Sequence, residues 1–249
     1  MTFREKLHWE GFMANRLESV RDMQREIGAG TAKEGTYYFF LGATCRYAIE
    51  SYINGNPHET KEAGKLVVQA VLDYFYGDWR ERLPAPDGTM GHEGWKPFCL
   101  WYEEVMRSLP WACALGDWEA VRRIAEYPPE NKFPEAARAA GETAWAWALV
   151  AFLRGKPRKE VERFLVKAET HKAKRPKLLA PVLRALLNDD AAEFNETLLT
   201  YLAYYRKSEF KRELEKLLTL DGTTLFHLGR KHGFNVQMPD DVADHVIRF

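Results

Sequence analysis

The chain has 249 residues, 46% of them hydrophobic and 13% aromatic, which is enough apolar material for a folded core. Lysine plus arginine equal aspartate plus glutamate at 36 each, so no basic excess favours binding to nucleic acid. The sequence contains no run of about 18 apolar residues that could span a membrane. Its charged N-terminus lacks the apolar stretch of a signal peptide. We therefore expect a cytoplasmic protein without a nucleic-acid or membrane partner.

Three helices are predicted in the N-terminal part. Apolar residues at helical spacing begin near Phe3 and stop at the glycine-rich segment 28–35. A second helix, apolar on nearly all sides, covers 37–53. Asn56 can cap a third helix with Pro57 in its first position and a glutamate two residues later, an arrangement typical of helix starts.

Residues 83–94 form the one long segment without periodicity, and two prolines and three glycines predict a loop there. We predict a single all-helical domain over 1–249, which this loop could divide into an N-terminal helical cap, 1–82, and a helix-pair array, 95–249. A linker is the simpler interpretation of the loop. The alternative is an all-helical enzyme that uses Asp87, His92 and Glu93 as acid–base or metal-binding groups.

Helix pairs recur after the loop. The predicted helices are 97–115, broken or kinked at Pro110, and then 118–127, 134–154, one opened by Pro157, 180–187 and one following 188–190. Their turns fall at 116, 155 and 189, which are 39 and 34 residues apart, the period of helix-pair repeats. Glycine suits the left-handed end of a helix and aspartate suits the start of the next one. The fold class predicted is all-α, an array of antiparallel helix pairs forming a tetratricopeptide-like α-solenoid or bundle.

Catalytic and metal-binding motifs are not recognised. The segment 28–36 has glycines but lacks the spacing of a dinucleotide or nucleotide phosphate loop. His227 and His232 are five residues apart, roughly 140° around a helix, so they do not share a face. Asp221 and His245 add no metal-ligand spacing. No serine lies in a Gly-x-Ser-x-Gly motif. We therefore predict no catalytic residue, no cofactor and no metal site.

The cysteines and aromatic residues are predicted mainly as core. Three cysteines without C-x-x-C spacing fit neither a disulfide framework nor a zinc site, although a cysteine–histidine dyad assembled only in space stays open. Their apolar helical surroundings favour small buried hydrophobes. Tyr204 is equally consistent with the core and with a recognition surface. The residues predicted to be buried are Cys45, Cys99, Cys113, Trp145, Trp147 and Tyr201.

Two stretches carry a family resemblance. G-D-W-E-A-V-R-R-I-A-E-Y, at 116–127, resembles the turn and second helix of a tetratricopeptide unit. The stretch 221–248, D-G-T-T-L-F-H-L-G-R-K-H-G-F-N-V-Q-M-P-D-D-V-A-D-H-V-I-R, looks like the ending of the immunity protein 49 family. The turn N-D-D-A-A-E-F is also similar to that family, and the match extends loosely over the C-terminal two thirds. The resemblance implies an all-helical, non-enzymatic protein that binds and neutralises a co-encoded bacterial toxin, with no catalytic motif to carry over.

The expected function is therefore stoichiometric binding of a cognate toxin, and the alternative is a generic helical-repeat scaffold that binds proteins in another pathway. Acidic residues at the recurring turns should lie at one end of successive helix pairs. They are candidates for contacts with a basic toxin, although helix capping is their simpler role. The candidate partner-binding residues are Asp117, Glu119, Asp189, Asp190, Glu193 and Tyr204.

Overall fold

A computed structural model describes residues 9–32, 34–77, 97–127, 141–207 and 218–249. These ranges contain eleven α-helices and no strand, so the predicted all-α class is confirmed. None of the helices in the described ranges is long and apolar enough to cross a membrane. The helices are α1 Trp9–Gly28, α2 Glu34–Ile53, α3 Pro57–Tyr76, α4 Pro97–Leu115, α5 Trp118–Glu126, α6 Gly141–Leu153, α7 Arg158–Thr170, α8 Lys174–Leu187, α9 Ala191–Lys207, α10 Leu220–Lys231 and α11 Asp240–Ala243.

The described helices belong to two compact units. The first contains α1 to α3 and α4 as far as Trp111, together with Phe249; the second extends from Ala112 to Arg248. In the first unit α2 packs against both α1 and α3. In the second, each helix from α5 to α9 packs on the next, and α10 packs on α8 and α9. The loop 83–94, at which sequence analysis placed the optional division, lies outside the described residues.

The first unit begins its third helix as the sequence predicts. The Asn56 side-chain oxygen accepts a hydrogen bond from the Glu59 backbone N–H at 3.1 Å, and Pro57 occupies the first helical position. The apolar stripe of α3 then faces the core because its members recur every three or four residues. The buried members are Ala63, Val67, Val68, Ala70, Val71, Tyr74 and Phe75.

In the second unit the core centres on α6. All eight residues from Ala144 to Ala151 are buried, which explains why this helix has no polar face. Trp145 and Trp147 are each 1% exposed and Tyr201 is fully buried, so the prediction that they are core residues is confirmed. Cys45 in the first unit and Cys113 in the second are also buried, as predicted, whereas the side chain of Cys99 lies outside the described part.

Two proline positions distinguish the observed helices from the predicted ones. Helix α8 begins at Lys174, six residues before the predicted start, because Pro176 lies in the first turn, where its missing N–H is not needed. Pro181 then lies inside the same helix. Sequence analysis predicted a break or a kink at Pro110; helix α4 runs through this residue, so the predicted break is wrong.

In the described ranges, six helix ends close with the same backbone arrangement. One residue adopts a positive φ, its N–H donates to the carbonyl three residues earlier, and the next N–H donates to the carbonyl five residues earlier. At the first predicted turn, the Gly116 N–H donates to the Cys113 carbonyl at 3.1 Å and the Asp117 N–H donates to the Ala112 carbonyl at 3.0 Å. The turns predicted at 116, 155 and 189 are confirmed. The positive-φ residues are Gly30, Gly55, Gly116, Gly155, Asp189 and Gly233.

Asp189 is the non-glycine member of this set, with φ of 57°, and we expect Asp189→Gly to stabilise the protein by roughly 0.5 kcal/mol. Relief of left-handed strain exceeds the extra entropy that glycine has in the unfolded chain. Urea unfolding measures the difference. Asp190→Gly is the control and should lose a few tenths of a kcal/mol, because Asp190 Oδ1 accepts from Glu193 N–H at 2.9 Å. A less stable Asp189→Gly variant would contradict the strain argument.

Candidate functional site

We call the predicted turns that carry acidic residues, those at 116 and 189, the acidic corners. The first of them precedes α5. Asp117 caps the helix, because its Oδ1 accepts a hydrogen bond from the Ala120 N–H at 3.0 Å. Glu119 is exposed and accepts hydrogen bonds from the Arg122 guanidinium at 2.5 and 3.0 Å. These bonds hold the pKa of Glu119 below its ordinary value. Arg122 also donates to Glu126, so charges of both signs alternate on this face.

The second acidic corner separates α8 from α9. The Asp189 side chain is 81% exposed, and its Oδ1 lies 3.1 Å from Nε2 of His232. Asp190 caps α9 through the Glu193 N–H. Glu193 is half-buried, and its carbonyl accepts from Thr197 Oγ1 at 2.6 Å. Capping, the simpler role considered for these residues, is therefore observed at both Asp117 and Asp190.

Consecutive residues at the end of α10 contact both acidic corners. Lys231 Nζ lies 5.3 Å from the centre of the Trp118 ring, next to Asp117 at the first corner. The following residue, His232, contacts Asp189 at the second corner. Because adjacent Cα atoms are about 3.8 Å apart, the two corners lie within side-chain reach of one short segment. The structure therefore brings Asp117 and Asp189 to the same end of the second unit.

A third turn joins this end. Arg158, in the first turn of α7, donates a hydrogen bond from Nη2 to Oδ1 of Asn188. Because α7 follows Gly155 closely, this contact places the turn at 155 beside the second corner. We call the combined region the corner surface. It comprises residues 116–119, 155–158, 188–193 and 231–233, and it carries Arg158, Lys231 and His232 as well as its acidic side chains.

Tyr204 does not belong to the corner surface. It lies thirteen residues beyond the first residue of α9, about 20 Å along the helix axis from the second corner. Its half-buried ring is 4.9 Å from Lys174 Nζ, near the start of α8. The candidate residues thus divide into five at the corner surface and one near the opposite end of α9.

Sequence analysis missed a buried ionic network centred on Asp221. Asp221 is 2% exposed, and its Oδ2 accepts from Nε and Nη2 of Arg175 at 2.8 and 2.6 Å. Its Oδ1 accepts from Trp145 Nε1 at 3.3 Å. The Tyr201 hydroxyl lies 3.4 Å from Oδ2. Burial, and after it the negative charge of Asp221, raises the pKa of Tyr201 well above its ordinary value.

Thr219 extends this network to the start of α10. Its hydroxyl lies 2.9 Å from the Tyr201 hydroxyl and accepts from the Gly222 N–H at 3.1 Å, which caps the helix. A Cβ on Gly222 would lie 2.6 Å from the Thr219 methyl and 2.9 Å from Leu202, so glycine is needed for this close approach. The network connects α6, α8, α9 and α10, and its interlocking bonds indicate a structural role.

Two of the histidines considered for a metal site make other contacts, His227 through its ring and His245 through its backbone. Nε2 of His227 lies 2.8 Å from the Ile247 carbonyl, and burial lowers the pKa of this histidine. The His245 carbonyl accepts from the Thr219 N–H at 2.8 Å. Within the ranges that the structure describes, no group of three or more His, Cys, Asp or Glu side chains could hold a metal ion.

Burial raises the pKa of the Cys45 thiol to about 11 and also raises that of Cys113, which disfavours the reactive thiolate at both positions. The residues of the alternative enzymatic hypothesis, Asp87, His92 and Glu93, lie outside the described residues.

Compared with models of protein families, with curated proteins and with solved structures, the chain matches none of them.

Proposed function

We propose that the chain is an immunity protein that binds and neutralises a cognate bacterial toxin stoichiometrically in the cytoplasm. The resemblance of 221–248 to the immunity protein 49 family supports the toxin as partner. The main support for the corner surface as the binding surface is the contact of Lys231 and His232 with two separate corners. These contacts bring turns that are distant in sequence into one exposed region.

The corner surface has properties suited to protein recognition. Its turns are closed by backbone hydrogen bonds, and its caps and side-chain pairs hold exposed groups in place before a partner arrives. Such preorganisation lowers the entropic cost of association. Charges of both signs favour a partner with a complementary pattern rather than any basic protein. A helical scaffold that binds an unrelated protein through the same surface is the alternative.

Co-expression with the neighbouring gene tests the proposal. The wild-type chain should rescue growth and co-purify with the gene product in a one-to-one ratio. The double charge reversal Glu119→Lys and Glu193→Lys should weaken binding roughly tenfold or more, because like charges then face each other across the interface. Asp244→Lys is the matched control: it reverses an exposed charge in the same unit outside the corner surface and should leave binding unchanged.

The possible failures have separate meanings. Undiminished binding by the double variant would show that the corner surface is not the binding face. Growth inhibition that the wild-type chain does not relieve, together with no co-purification, would reject the immunity function. Stoichiometric binding to a partner that is not toxic would favour the scaffold alternative. Tyr204→Ala adds an independent measurement, because a loss of binding there alone would place the interface near the start of α8.

A further inference from the structure

A cavity of about 590 Å³ opens beside the C-terminal end of α10. One wall is formed by Phe226 and Arg230 of α10 and another by the segment 233–238 that follows the helix, and Arg248 also lines the cavity. Most of the surface it presents is polar. This volume falls within the range of small-molecule binding sites in proteins.

The wall formed by 233–238 is fixed to neighbouring helices. The Asn195 side chain donates from Nδ2 to the Asn235 carbonyl at 3.3 Å and accepts from the Gln237 N–H at 2.8 Å. Beneath this wall, a Cβ on Gly229 would lie 2.5 Å from the Phe194 ring and 3.1 Å from Val236, so the segment packs closely against α10. The segment 233–238 is therefore held in place at the cavity.

Two hydrogen bonds hold the backbone of Ile247, the residue before Arg248. Ile247 donates its N–H to Thr223 Oγ1 at 3.1 Å, and its carbonyl accepts from His227 Nε2 at 2.8 Å. Both partners belong to α10, the helix that also carries Arg230. The backbone that holds Arg248 therefore lies against the helix that presents the other guanidinium to the same cavity.

Neither arginine forms an ion pair with any residue in the described ranges. The Arg230 guanidinium carbon lies 5.7 Å from the centre of the Phe226 ring, a position that leaves its N–H groups available. The helix dipole accounts for a cation in the last turn of α10 but not for Arg248, which lies on a different segment. Within the part of the chain that the structure describes, two arginines without carboxylate partners thus line one cavity.

We propose that this cavity binds a small dianionic oxyanion, a dicarboxylate or a phosphoester, between Arg230 and Arg248. Guanidinium groups recognise both anions through pairs of parallel N–H···O bonds. The Phe226 and Phe234 rings provide apolar contact for a short carbon chain, and the Asn235 amide adds polar groups at the wall. This inference goes beyond toxin binding and does not depend on it.

Calorimetric titration of the full chain with succinate, and separately with phenyl phosphate, tests the proposal at constant ionic strength. The wild-type chain should bind at least one of them saturably. Arg230→Gln and Arg248→Gln should each weaken that affinity roughly tenfold or more, because each removes charged hydrogen bonds. Arg248→Lys should recover part of the loss.

Arg163→Gln is the matched control, since Arg163 is also exposed, also lies over an aromatic ring, at 4.8 Å, and does not line the cavity. It should bind like the wild type. Tighter binding of succinate would identify a carboxylate ligand, and tighter binding of phenyl phosphate a phosphoester. The absence of saturable binding to both probes, or an equal loss in Arg163→Gln, would overturn the proposal.

Discussion

Glu104→Gln is expected to stabilise the protein by roughly 3 kcal/mol at pH 7, an effect opposite to that of most core substitutions. Glu104 lies in α4, is 1% exposed, and neither of its carboxylate oxygens accepts a hydrogen bond from a described residue. Burial raises its pKa from 4.5 to about 8, because the lost hydration of the charged form outweighs the stabilising effects of its own backbone N–H and of the Arg107 charge. Glutamine has nearly the same shape and carries no charge.

The sign of the pH dependence follows from this raised pKa. Between pH 4.5 and about 8 the folded state binds more protons at Glu104 than the unfolded state, so wild-type stability falls as the pH rises. The glutamine variant lacks this loss. Its advantage should be close to zero near pH 4.5, grow by about 1.4 kcal/mol per pH unit, and level off above pH 8.

Urea unfolding at pH 5, 7 and 8.5 measures this difference. Glu103→Gln is the control, because Glu103 is the neighbouring carboxylate, is partly exposed and pairs with Arg107 at 2.9 Å. It should produce a much smaller pH-dependent stabilisation than Glu104→Gln, because the Glu103 charge is only a minor cause of the raised pKa of Glu104. If the free-energy difference between wild type and Glu104→Gln were the same at all three pH values, the carboxylate would not be titrating in the folded protein.

Arg175→Leu is expected to destabilise the protein by about 3–5 kcal/mol. The substitution leaves the Asp221 carboxylate buried without the cation that donates two bonds to it. The remaining contacts from Trp145 and Tyr201, at 3.3 and 3.4 Å, are too long to compensate. Arg175 itself is 32% exposed in its side chain, so most of the cost arises from the isolated Asp221 rather than from lost packing.

A double-mutant cycle separates these contributions. Asp221→Asn removes the charge, and adding it to Arg175→Leu should restore part of the lost stability, because no buried charge then lacks a partner. Arg206→Leu is the control; its partner Asp241 is exposed, and such pairs contribute at most about 1 kcal/mol. Additive losses in the double variant would show that Arg175 and Asp221 stabilise the fold independently of each other.

The all-α class and the helix ends were predictable because their causes are local. Glycine permits the left-handed end at Gly116 and Gly155, and aspartate caps the helices that begin after Asp117 and Asp190. The start of α8 was harder to predict from the sequence, because Pro176 is expected to break a helix unless it lies in the first turn.

The candidate site depended on contacts that no local pattern encodes. Asp221 meets Arg175 across 46 residues, and His232 meets Asp189 across 43. Sequence spacing placed Asp221 only among weak metal-site candidates, whereas the structure makes it one half of an ion pair. Glu104 shows the same limit, because the burial that raises its pKa arises only in the folded chain.

Because backbone hydrogen bonds close the corners, they also determine which residues of the corner surface can be substituted in related proteins. At each corner one residue must accept a positive φ, and a capping aspartate adds a second requirement at 117 and at 190. The side chains at 119, 156 and 193, which are exposed or half-buried, are under neither constraint. Their chemistry can therefore diverge one substitution at a time while the helix array stays intact, which would let such a scaffold follow a changing partner without refolding its core.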